Sequence, residues 1–266
     1  MRHFREEILR AHPSWHAILE EGLRAIERDW PDYLSALLRS EFLPIRGCLF
    51  AAFSQPIDHV KYVLVGEGPY PRLESANGYC FMDAAVTSLW SSEVGGGLSK
   101  PVNRATSLRN FIKMLLVAES HIALEELNPD SIADFVTTAR KNTSGFIQTM
   151  SELQTNFLQS GFLLLNASLV FRKDVAPVKD ARAWFSFMSV VVSRLEEYHR
   201  CHPSLDRVCF ILWGKIADQC LKLPSLQGLE VFDIAQAEHP YNLSFIYNQA
   251  MWQLFAPLRL LRARAA

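Results

Sequence analysis

The sequence predicts an α/β protein in three layers, in which helices cover both faces of a central, mostly parallel, four-stranded sheet. Four short apolar runs alternate with longer segments whose apolar residues recur at helical spacing. Strands that are apolar on both faces are typical of parallel sheets covered by helices. The four runs occupy residues 60–65, 162–165, 208–213 and 229–234.

The segments between these runs predict the helices. Residues 14–43 have helical periodicity interrupted by Pro31, which predicts two helices. Four further helical segments lie at residues 106–127, 146–160, 180–198 and 244–262. Two stretches break the alternation and are treated as insertions, a glycine- and serine-rich loop predicted to be mobile at 91–104 and a short helix opening on Asn-Pro-Asp at 128–145.

The sequence shows no feature that would divide the chain into separate domains. The sequence has no repeat, low-complexity tract or linker, so we expect a single domain over residues 1–266. Within it, residues 1–55 would form N-terminal helices and residues 60–262 the core.

Composition restricts the function classes. The net charge of −1 gives no global attraction to polyphosphate, so nucleic-acid binding would need a local basic surface. The five cysteines are an odd number without zinc-ligand spacing, which favours reduced thiols in a cytoplasmic protein. No apolar stretch approaches the roughly 18 residues of a membrane span, so neither secretion nor membrane insertion is expected.

Polar side chains collect where the predicted strands end. Glu67 and Tyr70 follow the first run through a glycine-proline turn, Asn166 ends the second, and His239 follows the fourth. Because ligands of open α/β sheets bind outside the carboxyl ends of parallel strands, this edge is the predicted site.

Several motifs appear in register around these residues. The run GEGPYPRLESANGYCF at residues 66–81 resembles, without a gap, the water-activating segment of family 1 uracil-DNA glycosylases, G-Q-D-P-Y-H followed by A-H-G-x-x-F. Further similarities to that family follow in the same order: Ser107-Leu108 with Asn110 and Lys113, LLLNASLVFR after Gly161, Trp184 with Phe187, residues 210–214, and HPYNLS at residues 239–244. The resemblance covers about residues 60–260 and implies an α/β fold that draws a base out of DNA.

The resemblance implies a pocket that recognises one base. Phe81 would stack on the base, and the Asn166 amide would pair with the O4 and N3 edge of uracil. Tyr70 would stand against C5 and reject the methyl group of thymine. His239 would donate a hydrogen bond to O2 as the uracil leaves with negative charge.

The water-activating position departs from family 1. The aspartate that orients water there falls on Gly68, which has no side chain. The run from Gly66 to Pro69 also resembles the G-E-A/G-P-G segment of family 4 glycosylases, which combine a small residue with an acidic neighbour. We therefore expect Glu67 to supply the carboxylate and backbone groups around Gly68 to hold the water. The four-cysteine iron–sulfur pattern of family 4 is missing, and we expect neither metal nor cofactor.

The remaining motifs imply DNA contacts. Ser107 at a helix start and Ser244 in the last loop would offer hydroxyl and backbone N–H groups to phosphates. Leu243 matches the wedge that fills the space left by the displaced base. Basic residues near Ser107 are Lys100, Arg104 and Arg109. A C-terminal stripe, which we interpret as a solvated face of a terminal helix, comprises Arg259, Arg262 and Arg264.

These observations predict a monomeric, cofactor-free hydrolase that acts on the N-glycosidic bond of uracil, or a related deaminated base, in DNA and releases the free base. Two alternatives stay open at this point. One is a binding protein that kept the pocket and lost the chemistry at Gly68, and the other is a glycosylase for another lesion, with specificity altered at Asn77 and Tyr241.

Overall fold

The strands form one four-stranded sheet. The structure, a computed structural model, describes residues 4–227 and 231–264. Its strands are β1 (Tyr62–Gly66), β2 (Phe162–Asn166), β3 (Val208–Trp213) and β4 (Phe232–Ala237), in the spatial order β2-β1-β3-β4. Strand β1 pairs in parallel with both β2 and β3. The predicted α/β class, with a parallel sheet and flanking helices, is confirmed.

The helices occupy most of the segments predicted for them. They are α1 (Arg5–Ile8), α2 (His16–Asp29), α3 (Tyr33–Leu38), α4 (Lys100–Arg104), α5 (Thr106–Ala118), α6 (Pro129–Lys141), α7 (Met150–Gln159), α8 (Pro177–Cys201), α9 (Ile216–Cys220), α10 (Pro224–Gln227) and α11 (Gln249–Phe255). Short 3-10 helices lie at Pro13–Trp15, Ala51–Phe53, Ile57–His59, Leu124–Glu126, Leu243–Tyr247 and Ala256–Leu258. No helix in the described part of the chain is long and apolar enough to cross a membrane.

Contacts between residues divide the chain into two compact units. The first unit comprises Met1–Asp83 and Gly161–Ile234, and the second comprises Ala84–Ser160 and Ala235–Ala266. The single domain expected from the sequence stays a prediction.

The core of the first unit explains why its strands are continuously apolar. Val63 and Val65 of β1 belong to the same buried cluster as Trp184 and Phe187 of α8, while Leu64 between them is also buried. Both faces of β1 are thus removed from water, as parallel sheets require. The two aromatic residues of α8 pack edge to face, with ring centroids 5.1 Å apart.

The second unit is built around aromatic side chains from three helices. Phe111 of α5 stacks on Phe157 of α7 at 5.8 Å and meets the edge of Phe255 of α11 at 5.1 Å. These contacts hold α5 in place, which matters because α5 supports the loop that carries His239.

Two predicted insertions differ in outcome. The helix predicted within 128–145 is confirmed as α6. It begins after Asn128 because the Asn128 side chain accepts hydrogen bonds from the N–H groups of Asp130 and Ser131. The loop predicted at 91–104 is wrong at its end, where α4 forms. There the Ser99 hydroxyl accepts a hydrogen bond from the Val102 N–H and caps the helix.

The C-terminal helix predicted over 244–262 is wrong in its extent. Asn248 caps a new helix, α11, and Arg259 adopts a left-handed conformation with φ of 49°. The C-terminal arginines do not lie on a helix, and although Arg259 and Arg262 are exposed as predicted, all three make contacts. Arg259 donates to the carbonyl oxygen of Glu119, Arg262 lies over the Phe146 ring, and Arg264 donates to the carbonyl oxygen of Asn156.

Other predicted boundaries also shift. The helix predicted at 106–127 ends at Ala118, and the one at 146–160 begins at Met150 after a Thr149 cap. Strand β4 begins at Phe232, three residues later than predicted, and Leu229 and Glu230 lie outside the described residues.

Candidate active site

The loops that follow β1 and β2 are joined by backbone hydrogen bonds. The Ala167 N–H donates to the Gly66 carbonyl oxygen at 2.8 Å, and the Ser168 N–H donates to the Glu67 carbonyl oxygen at 3.2 Å. Gly66 and Asn166 are register partners at the ends of the two strands. The predicted site residues Glu67, Gly68 and Asn166 are therefore brought together at the carboxyl edge of the sheet.

The Asn166 side chain is buried and incompletely paired. Its exposed fraction is 2%, and its Oδ1 has no hydrogen-bond partner among the residues that the structure describes. A buried amide oxygen without a partner carries a free-energy cost that a bound donor would remove. A methyl group at Gly66 would lie 2.9 Å from this oxygen, so only glycine leaves the amide its space.

The environment of Gly68 is open by comparison. A Cβ atom there would meet the Ser168 carbonyl oxygen at 3.7 Å, an ordinary contact, and the backbone is not in the left-handed region. The neighbouring Glu67 is exposed, and its carboxylate forms no hydrogen bond or ion pair with any described residue. This carboxylate is available to a ligand or a water molecule.

The segment leading to Phe81 is fixed against the sheet. The Cys80 N–H donates to the Leu164 carbonyl oxygen at 3.1 Å, and the Cys80 thiol donates to the Leu64 carbonyl oxygen at 3.2 Å. Gly78 has φ of 86°, and a Cβ there would lie 1.9 Å from the carbonyl oxygen of Cys48. Burial raises the pKa of the Cys80 thiol, so this cysteine is a structural donor.

Phe81 is held in a strained conformation. Its φ of 64° is unusual for an aromatic residue, and strain of this kind collects at functional sites. Its ring meets the edge of Trp213 at 5.4 Å, and the Tyr70 hydroxyl approaches the Phe81 carbonyl oxygen at 3.4 Å. Burial raises the pKa of Tyr70, which keeps this hydroxyl protonated. Trp213 was not singled out from the sequence, although it ends β3 just before a glycine.

A buried ion pair anchors the far end of the loop after β2. Arg172 donates to Asp180 at 2.6 Å and 3.1 Å, and the Tyr33 hydroxyl donates to the same carboxylate at 2.7 Å. Asp180 is 1% exposed and raises the pKa of Arg172 chiefly through its hydrogen bonds. Removing one partner of such a pair leaves a buried charge unpaired, so the loop is strongly tied to α8.

In the second unit, His239 is exposed and has a defined tautomer. Its Nδ1 accepts a hydrogen bond from the Tyr241 N–H at 3.1 Å. Since Nδ1 is the acceptor, the neutral ring carries its proton on Nε2. The ring can therefore donate a hydrogen bond from Nε2.

Asn110, which the motif resemblance includes without a role, supports the loop that contains His239. It is fully buried on α5, and its Nδ2 lies 2.8 Å from the Pro240 carbonyl oxygen, 3.3 Å from that of Tyr241 and 3.4 Å from that of Asn242. One amide group therefore gathers three successive carbonyl groups. The signal in the sequence was a polar residue on the apolar face of a helix.

A carboxylate fixes the other side of the same loop. Glu238 accepts a hydrogen bond from Asn248 Nδ2 at 2.9 Å. Burial alone would raise the pKa of Glu238. Hydrogen bonds from Asn248, from its own backbone and from Ser244 outweigh this effect, so the pKa of Glu238 is lowered overall. Leu243 is left 64% exposed on this fixed loop.

Ser107 lies in the first turn of α5, three residues before Asn110, so the two share a helix face. The residue that precedes the helix, Ala105, provides no side-chain cap. Further along α5, Lys113 has a lowered pKa because of burial and the nearby charge of Arg109. The first turn of α5 therefore has no side-chain cap, and its backbone N–H groups are donors close to the His239 loop.

The described residues contain no group of His, Cys, Asp and Glu side chains that could hold a metal ion. The first unit offers a buried amide, a carboxylate and aromatic rings, which can bind a planar polar ligand. The second unit offers hydrogen-bond donors, which can stabilise negative charge.

Several known proteins are similar in sequence to this chain. No protein-family model matches the sequence. The chain is 24% identical over 250 residues to a uracil-DNA glycosylase from Flavobacterium johnsoniae, covering 92% of this chain and 89% of that protein. It is 29% identical over 188 residues to a human uracil-DNA glycosylase, covering 71% of this chain and 45% of that protein.

Solved structures extend the likeness to the fold. The wild-type UNG crystal structure from Nitratifractor salsuginis has 37% sequence identity and a TM-score of 0.83, covering 97% of this chain and 95% of that one. A mimivirus uracil-DNA glycosylase, with 18% identity and a TM-score of 0.52, shares the fold. The chain belongs to the uracil-DNA glycosylase superfamily, as its sequence identity to the Nitratifractor protein and the extent of its match to the Flavobacterium protein show.

Proposed function

We propose that this protein is a uracil-DNA glycosylase, a hydrolase that cleaves the N-glycosyl bond between uracil and deoxyribose in DNA. The observation that carries the proposal is the buried amide of Asn166, whose Oδ1 is unpaired among the described residues beside the Glu67-Gly68 turn. An amide presents one donor and one acceptor, which match O4 and N3–H of uracil. Relatives named uracil-DNA glycosylase support the same activity.

Base recognition is assigned to three residues of the first unit. Asn166 reads the polar edge of uracil, Phe81 stacks on its face, and Tyr70 lies against C5. Burial of the Tyr70 ring and the contact of its hydroxyl with the Phe81 carbonyl oxygen support a rigid wall. Extraction of the base costs a few kcal/mol of lost stacking, which a fitted pocket recovers.

His239 stabilises the departing base. The N–H of Tyr241 occupies Nδ1, so Nε2–H is the donor offered to O2 of uracil. Negative charge develops on that oxygen as the bond breaks, and a donor already in position needs no reorganisation. The loop is set by Asn110 and Glu238, which act as positioning residues.

Glu67 and the backbone at Gly68 hold the water that attacks the sugar. The carboxylate of Glu67 is unpaired among described residues, as a group that acts on water requires. The reaction is dissociative: uracil leaves with the bonding electrons, and the water adds to C1′ of the sugar and loses a proton to the carboxylate. Glu67 thereby replaces the aspartate missing at Gly68.

DNA is the substrate, and its contacts are assigned to the second unit. Ser107 and Ser244 offer donors to phosphates, and the exposed Leu243 fills the space left by the extracted base. The proposal is completed by a monomeric, cofactor-free enzyme in the cytoplasm that releases free uracil, since the odd number of cysteines favours reduced thiols. The alternatives of a binding protein and of another lesion are not favoured by the named relatives.

Excision from a uracil-containing oligonucleotide, followed by alkaline strand scission, tests the activity. The parent should cleave at uracil, and Asn166→Ala should not, because the polar edge of the base would lose its partners. Glu67→Gln should lower the rate about 100-fold or more, since electrostatic contributions of this kind are often worth several kcal/mol.

The double variant Glu67→Gln/Gly68→Asp tests whether a carboxylate at position 68 can replace that of Glu67. A side chain fits at position 68 without a close contact. The added carboxylate should recover part of the lost rate. A Glu67→Gln variant as active as the parent would remove Glu67 from the mechanism. A folded parent that excises nothing would leave the binding-protein alternative.

Tyr70→Ala should open the space at C5 and permit excision of thymine, because the methyl group then has room. Tyr70→Phe keeps the ring and removes only the hydroxyl, so it should stay specific for uracil. Thymine excision is measured on a T·G duplex. Equal thymine excision by both variants would mean that the hydroxyl, not the ring, excludes the methyl group.

Asn110→Leu should reduce excision beyond any effect on stability, because the carbonyl groups of Pro240 and Tyr241 lose their donor and the His239 loop is no longer fixed. The Asn242 carbonyl keeps the Phe245 N–H as a donor. Each carbonyl left unpaired costs about 1–3 kcal/mol. Asn156→Leu is the control: Asn156 is also buried in the second unit, and its amide holds the carbonyl groups of Leu260 and Arg262. Equal loss of activity at matched melting temperatures would contradict the positioning role.

A further inference from the structure

The backbone carbonyl group of Ser168 faces Gly68. A Cβ atom at Gly68 would lie 3.7 Å from the Ser168 carbonyl oxygen and 3.8 Å from the Ser168 Cβ. Gly68 is exposed, whereas Ser168 is only 4% exposed. The Ser168 carbonyl oxygen therefore borders the space in which the side chain of the family 1 aspartate would begin.

Two hydrogen bonds fix the orientation of this carbonyl group. The Ser168 N–H donates to the Glu67 carbonyl oxygen at 3.2 Å, and the Ser168 hydroxyl donates to the Val170 carbonyl oxygen at 2.8 Å. The second bond closes a short loop around the peptide group that contains the Ser168 carbonyl. A side-chain to backbone bond of this kind restricts the local backbone, so the carbonyl oxygen stays directed at Gly68.

The Ser168 carbonyl oxygen accepts no hydrogen bond from any described residue. Carbonyl groups of buried residues almost always accept one, from the protein or from ordered water. The deoxyribose and phosphates of an internal nucleotide carry no N–H or O–H group, and the polar edge of uracil is assigned to Asn166. Water is therefore the donor that this carbonyl group suits.

We propose that the Ser168 carbonyl oxygen and the Glu67 carboxylate together bind the water molecule that attacks the sugar. The inference rests on the proposed function and adds an acceptor for its water. One O–H group of the water donates to each acceptor, which leaves an oxygen lone pair for C1′ of the sugar. The Ser168 hydroxyl acts as a positioning group, because it holds the carbonyl in place through Val170.

The reaction balances without any further reactant. The bond between C1′ and N1 breaks, and its electron pair leaves with uracil. The water oxygen forms a bond to C1′ and passes one proton to the Glu67 carboxylate. The Ser168 carbonyl oxygen takes up no proton and only orients the water, which is the kind of placement that makes an attack effectively unimolecular.

A crystal structure with an oligonucleotide that contains 2′-fluoro-2′-deoxyuridine, an analogue resistant to cleavage, tests the water site. An ordered water molecule should lie about 2.7–3.2 Å from both the Ser168 carbonyl oxygen and a Glu67 carboxylate oxygen. A bound analogue with no water on the Ser168 carbonyl oxygen would overturn the inference.

Ser168→Ala tests the positioning role of the hydroxyl. The single-turnover excision rate should fall about 10-fold, because the carbonyl group loses its fixed orientation, while the Kd for DNA carrying the fluorinated analogue should not change. Ser168→Thr keeps the hydroxyl and should excise uracil like the parent. Ser40→Ala is the matched control, since the Ser40 hydroxyl also donates to a carbonyl oxygen of the first unit, that of Leu37 at 2.8 Å.

Thermal melting establishes that each variant is folded. A folded Ser168→Ala variant with the full excision rate, equal losses of rate and of DNA binding, or a folded Ser168→Thr variant as slow as Ser168→Ala would each contradict the inference. Uracil excision by the parent is assayed in parallel. Its absence would refute the proposed function, whereas with an active parent the Ser168 variants and the water position decide the inference alone.

Discussion

The pairing of the loops after β1 and β2 is the constraint on which the first unit's site depends. Two backbone hydrogen bonds, from Ala167 to Gly66 and from Ser168 to Glu67, fix the turn and the buried amide of Asn166 side by side. They extend the parallel ladder of β1 and β2 past the ends of the strands. The polar residues proposed to recognise a base and to hold a water molecule therefore lie next to rigid strands, which suits catalysis by groups placed in advance.

The roles proposed for the turn after β1 depend on a difference in surroundings between Gly66 and Gly68. Gly66 is closed on its Cβ side by the Asn166 amide and the Cys80 side chain, whereas Gly68 has ordinary van der Waals space. A side chain would therefore fit at position 68, and the carboxylate of Glu67, unpaired among the described residues, lies one residue away. In the second unit the same logic applies to His239, whose tautomer is set by a backbone N–H and whose loop is set by Asn110.

Sequence periodicity was sufficient for the strands, because residues such as Val63, Leu64 and Val65 are buried on both faces and must all be apolar. It failed for the C-terminal segment, where Asn248 and the left-handed Arg259 break a helix whose apolar spacing looks continuous. The motif resemblance predicted Asn166 and His239 as site residues, but it did not predict the contacts that position them. The roles of Asn110 and Trp213 depend on contacts between residues far apart in the chain, which spacing along the sequence does not encode.

Comparing Gly66→Ala with Gly68→Ala tests whether an Asn166 amide held in a tight space beside the turn recognises uracil. A methyl group at position 66 would lie 2.9 Å from Asn166 Oδ1 and from Cys80 Cβ, whereas one at position 68 has no contact closer than 3.7 Å. We expect Gly66→Ala to lower uracil excision by about 10-fold or more, since a displaced amide leaves polar groups of the base unpaired. Gly68→Ala should retain most activity, with thermal melting showing that both variants are folded. Equal activity of two folded variants would rule out this role of the Asn166 amide.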